Sequence, residues 1–161
     1  MKPAIAVGLA VLLGAACSDA DDTSDPSGGA VASIISGIPE SPDRAQYLAI
    51  ADQLCADLGS GNEIGEPVDG TASIGQIDAQ YDAIDLRIAR LRALPIPDGD
   101  EDTINGILQA YERVLTGLDE LRTAVDAEDG QAAVVVTAAL GGLRSDVNEL
   151  VMSFGIDACH L

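Results

Sequence analysis

Apolar residues recur every three or four positions in four stretches of the chain. They are Leu48, Ala51, Cys55 and Leu58, then Ile74, Ile77, Tyr81, Ile84, Ile88 and Leu91. A third set runs Ile104, Ile107, Tyr111, Val114, Leu118, Leu121 and Val125, and a fourth runs Ala133, Val136, Leu140, Leu143, Val147, Leu150 and Phe154. Spacing of this kind places each set on one face of a helix. Four such helices in succession predict an all-α fold, an antiparallel four-helix bundle of up-down topology with crossings near 20°. The punctuation agrees. Ser41-Pro42-Asp43 reads as a helix start capped by Ser41, and Gly59 as its stop. The second helix is expected from Ser73 to Leu94, ended by Pro95 and Pro97. The third opens on the acidic turn Asp98, Asp100, Glu101 and Asp102 and ends at Asp129-Gly130, and the fourth ends at Gly155. Val134-Val135-Val136 has strand character, but the heptad phase passes through it unbroken.

The pattern places the folded domain at 41–161. Ahead of it, residues 30–40 are mildly apolar and broken by Gly37 and Pro39, and no element is assigned to them. Inside it, GSGNEIGEPVDGTA (59–72) is the longest irregular stretch. It is where a binding loop could sit, though a plain connector between helices is the simpler account.

Composition narrows the function. The 161 residues amount to one domain, with 47% apolar content for a core and only 2% aromatic, so the core is aliphatic. Tyr81 and Tyr111 fall within the stripes and read as core rings whose hydroxyls reach an edge. Acids outnumber bases 27 to 8, a formal charge of −19, which disfavours nucleic acid as a partner. The one histidine, His160, stands at the C-terminus, so neither a Ser/His/Asp constellation nor a multi-histidine zinc site can be assembled. Asp157, Cys159 and His160 are too close together, at a chain end, to make a preorganised metal site. The acidic run from Asp98 fails as a calcium loop, with Thr103 at position 6 and Gln109 at position 12. Arg87, Arg90 and Arg92 crowd the end of the second helix, where positive charge complements the helix dipole. No catalytic residue, metal ligand or cofactor is expected, and the reading is of a non-enzymatic protein.

The N-terminus carries an address. MKPAIAVGLAVLLGAA (1–16) has Lys2, an apolar stretch and small residues before Cys17, the three-part pattern of a secretory signal peptide. Leu13-Gly14-Ala15-Ala16-Cys17 resembles the lipobox of bacterial lipoproteins, with Gly14 where a bulky aliphatic is usual and Leu13 one place earlier. The resemblance implies a diacylglyceryl group on the Cys17 thiol, cleavage before Cys17, and acyl chains holding the protein to a membrane. Ordinary cleavage after Gly14-Ala15-Ala16, leaving a free Cys17, is the alternative. SDADDTSDPSGG, after Cys17, has no apolar residue able to fold it and suits an acidic tether over 17–40. Loss of 1–16 removes Lys2, the only lysine, leaving 27 acids against seven arginines and a formal charge of −20.

Three cysteines, Cys17, Cys55 and Cys159, are an odd number for an exported chain. With lipid on Cys17, Cys55 and Cys159 remain as a pair, and an oxidising compartment favours a disulfide between them. The order of parts, with YLAIADQLCADL, LRALPIPDGDED and FGIDACHL following the tether, resembles small exported lipoproteins of high-GC bacteria. No activity or binding residue carries over from that type. The expectation is a lipid-anchored helical module facing the extracytoplasmic side. It would dock an envelope protein or component through the 59–72 loop or the arginine cluster, or give structural support. The alternative is a carrier of a small ligand or cation, using an interhelical cavity or the acidic surface.

Overall fold

The computed structural model describes residues 41–59 and 73–161. The expected signal peptide (1–16), Cys17, the expected tether (17–40) and most of the 59–72 connector therefore lie outside the described residues. Those described form four helices: α1 (Arg44–Asp57), α2 (Ile74–Arg92), α3 (Glu101–Asp126) and α4 (Gly130–Phe154). A 3-10 turn (Asp157–Cys159) closes the chain, and no strand occurs among them. The fold is the all-α four-helix bundle that the spacing predicts, and Val134-Val135-Val136 lies within α4.

Local chemistry sets where the helices begin. α1 is capped by Asp43, not Ser41. Asp43 Oδ1 accepts from the Gln46 backbone N–H at 2.8 Å, and the Asp43 N–H donates to Gln46 Oε1 at 3.0 Å. That reciprocal box needs a Gln or Glu three residues on, and from Ser41 the third residue is Arg44, which has no acceptor to return. Ser73 and Gln76 make the same box at the start of α2. Asp129 belongs to α4 rather than to the end of α3: its carboxylate accepts from the Ala132 N–H at 2.9 Å. The turn before it passes through Glu128 at φ 54°, and Gly155, at φ 99°, ends α4.

α3 lies at the centre. Leu108, Ala110, Leu115, Gly117 and Ala124 are buried beside the predicted stripe, because α2 packs on one side of α3 and α4 on the other. A Cβ at Gly117 would come within 2.7 Å of Leu140 Cδ2, so this glycine lets α3 approach α4 closely. Gly117 and Leu140 are about equally far from the turn, which makes α3–α4 an antiparallel hairpin. Ion pairs Arg92–Glu112 and Arg122–Asp78 mark the two ends of the α2–α3 contact in the same antiparallel sense. Both are exposed and contribute little on their own. Arg144 on α4 donates to Gln80 Oε1 on α2 at 2.8 Å.

α1 departs from the simplest bundle. It buries Tyr47, Ala51, Leu54 and Cys55, while Leu48 and Leu58 of the predicted stripe are only half-buried. The stripe is rotated because α1 packs chiefly on the C-terminal turn and α2. It meets α4 at its very end, where Tyr47 and Phe154 stack edge-on at 6.1 Å. Arg44 lies 4.5 Å above the Phe154 ring, donates to the Phe154 carbonyl at 3.2 Å and pairs with Asp100 at 3.4 Å. Cys55 and Cys159 form a disulfide across a sequence separation of 104, with Cα atoms 5.0 Å apart. Asp52 Oδ1 accepts from the Ala158 N–H at 2.9 Å, and Asn148 holds both backbone groups of Leu161.

Closure of so long a loop removes about 4–5 kcal/mol of unfolded-state entropy. Reduction with dithiothreitol is therefore expected to lower Tm by about 10–20 °C, read by circular dichroism. An unchanged melting curve would contradict this.

Candidate functional site

A shallow groove of about 430 Å3 runs between α2 and α3. Ile77, Tyr81 and Leu118 give it apolar surface, and Asp78, Asp82, Asp119 and Arg122 give it charge. Tyr81 is therefore half-buried at a groove rather than a core ring. Asp78 is engaged by Arg122 at 3.4 Å. No group of three or more His, Cys, Asp or Glu side chains among the described residues converges to hold a metal. At the C-terminus, Cys159 is consumed by the disulfide, and His160 Nδ1 lies 2.8 Å from the Asp157 carbonyl, to which it donates.

Arg87 is not where charge alone placed it. It is 1% exposed, whereas Arg90 is half-buried and Arg92 reaches out to Glu112, so the three arginines form no common surface. Position 87 lies one turn from Ile84 and Leu91 and so falls in the sector that α2 buries. Its Nη2 donates to the Gly59 carbonyl at 2.8 Å, and its guanidinium lies 6.0 Å from the centre of the Tyr111 ring. Nε and Nη1 have no hydrogen-bond partner among the described residues. Tyr111, fully buried, donates its hydroxyl to the Cys159 carbonyl. Arg87 thus pins the end of α1 to α2 and α3 beside the disulfide, a structural role.

Burial pushes the Tyr111 hydroxyl up to about 12, with the Arg87 charge offsetting part of the rise. Burial, and then the Asp100 carboxylate, push Tyr47 up to about 12 as well. An unfolded tyrosine ionises near pH 10, so the native state holds these protons more tightly. The stability this confers is complete below pH 10 and is lost as pH rises towards 12. Tm is expected to fall across that window, and the fall should be shallower in Tyr47→Phe. Absorbance at 295 nm should show these phenols ionising as the fold opens, and not before.

The third feature is on α4. From Gln131 to Leu143 there are thirteen residues without a charged side chain, in a chain that is 22% charged. Ala133 and Leu140 of this run are buried and Val136 and Leu143 half-buried. The rest of the run includes Val134 at 70% and Val135 at 64% exposure, with Ala138, Gly141 and Gly142 exposed beside them. A Cβ at Gly141 or Gly142 would meet nothing within 4 Å among the described residues, in contrast to Gly117. Glycine inside a helix costs roughly 0.5–1 kcal/mol relative to alanine, and no packing within the described chain requires either one. The sequence pattern points only to the inward stripe. The signal that reveals this second one is its own helical spacing, displaced around α4.

No family model, curated protein or solved structure matches the chain. No helix among the described residues is long and apolar enough to cross a membrane.

Proposed function

We propose that this chain is a lipid-anchored, non-enzymatic docking module of the bacterial cell envelope, facing the extracytoplasmic side and engaging a protein partner through the uncharged face of α4. The observation that carries the reading is the exposure of Val134 and Val135 within the thirteen uncharged residues of a strongly acidic protein. Exposed apolar surface with a charged surround marks interaction sites. The anchoring half rests on the lipobox-like Leu13-Gly14-Ala15-Ala16-Cys17 and the odd cysteine count. Two acyl chains on one cysteine suffice for stable attachment.

Two measurements test the two halves. Cys17→Ser is expected to remove the acyl mass and move the protein from the membrane fraction to the soluble fraction. A photo-crosslinking residue in place of Val135, in the cells that make the protein, is expected to give light-dependent adducts. The same residue in place of Glu120, on the exposed side of α3, should give none. Absence of adducts at Val135 would remove the docking reading.

The α2–α3 groove supports the second reading, a carrier of a small organic cation, because Asp82 and Asp119 line it with an apolar base. Under the docking reading, spermidine leaves Tm unchanged at micromolar concentration. A saturable rise abolished by Asp82→Asn and Asp119→Asn would place the carrier first.

A further inference from the structure

Resting on that docking reading, we propose that the partner seated on the α4 face is a second copy of this chain, crossed antiparallel about a two-fold axis at Ala138. Val134, Val135, Ala138, Gly141 and Gly142 fall at i, i+1, i+4, i+7 and i+8. At about 100° per residue they occupy one sector roughly 120° wide, and all five are exposed.

The face is self-complementary. Val134 and Gly142 each stand four residues from Ala138, and Val135 and Gly141 each stand three. A two-fold axis through Ala138 lays the paired valines of one copy over the paired glycines of the other, and the reverse, as an isologous contact requires. The two alanines meet at the axis. Gln131 and Ser145, each seven residues from Ala138, meet at the two rims as uncharged polar pairs. The glycines that no contact within the described chain explains become the surface on which the other backbone approaches.

Charge selects the same face. After loss of 1–16 each chain carries a formal −20, so copies repel wherever carboxylates face each other. The Gln131–Leu143 stretch carries no carboxylate. A strongly basic partner would find no counter-charge there, whereas an identical face fits it. Anchoring is compatible. In this arrangement the two Phe154 ends lie about 48 Å apart at 1.5 Å per residue. The 24 residues from Cys17 to Glu40 can reach up to about 80 Å each.

The test uses the full chain carrying Cys17→Ser, with the Cys55–Cys159 disulfide intact. Sedimentation equilibrium is expected to show twice the chain mass, with association tightening as added salt screens the acids. Gly142→Leu is expected to raise the dimer dissociation constant by about tenfold or more. It should leave the helical signal unchanged, because its side chain enters open space. Val135→Cys mixed with Gly142→Cys should cross-link faster than either variant alone, and Ala138→Cys should cross-link with itself. A monomer at every concentration, or Val135→Cys cross-linking with itself in preference to Gly142→Cys, overturns the proposal. If the chain is monomeric but the photo-crosslinker at Val135 captures a different protein in the envelope, the second-copy proposal falls and the docking reading stands. If Val135 captures nothing, both fall.

Discussion

α1 packs on the C-terminal turn and on α2, and the bond from Cys55 to Cys159 is the covalent tie that joins it to the end of the chain. Everything near that bond is organised around it. The Tyr111 hydroxyl donates to the Cys159 carbonyl, and the Ala158 N–H donates to Asp52. Asn148 holds both backbone groups of Leu161, so the last residue is fastened to α4. Helix α1, the middle of α3 and the chain's end thereby share one interior node. Without the covalent tie, a 14-residue helix and a six-residue tail after Gly155 would depend on Tyr47, Leu54, Ile156 and the few hydrogen bonds beside them.

The second constraint is scarcity of positive charge. Five of the seven arginines connect elements. Arg44 joins α1 to the α2–α3 turn and the end of α4, Arg92 and Arg122 join α2 to α3, and Arg144 joins α4 to α2. Arg87 is buried among them and bonded to the Gly59 carbonyl. A guanidinium keeps its charge when buried, so it must be answered by carbonyls and aromatic faces when no carboxylate is in reach. With the arginines committed to holding the bundle, the acids outside are left largely unanswered. Among the described residues the surface divides into an acidic majority and the uncharged stretch of α4, and the proposed docking rests on the latter.

Much of this was legible from the residues alone. The 3-and-4 spacing gave four helices because burial of an aliphatic stripe and helical geometry share one period. The α3 stripe corresponds closely to what is buried, whereas in α4 Val136, Leu143 and Leu150 are half-buried and Val151, outside the stripe, is buried. Cysteine parity named the Cys55–Cys159 pair without any geometry. The α1 stripe was displaced, because its orientation depends on a tail more than 100 residues away. Ser-Pro-Asp is a common helix start and points to Ser41, but the reciprocal bond from Gln46 makes Asp43 the cap.

The sequence by itself determined the class of the fold, its helices and its disulfide partners, since these follow from local period, turn chemistry and cysteine count. Tertiary structure decided which charges are inside and which apolar residues are outside. Arg87, Arg90 and Arg92 are alike as letters, and only the rotation of α2 against α1 and α3 buries the first and exposes the last. Val134 and Val135 differ from Val136 only in azimuth around α4, and only the position of α3 turns Val136 towards the core and leaves the other two facing solvent. Periodicity says that a helix has faces. Which face is covered depends on neighbours that the chain brings from far along its length.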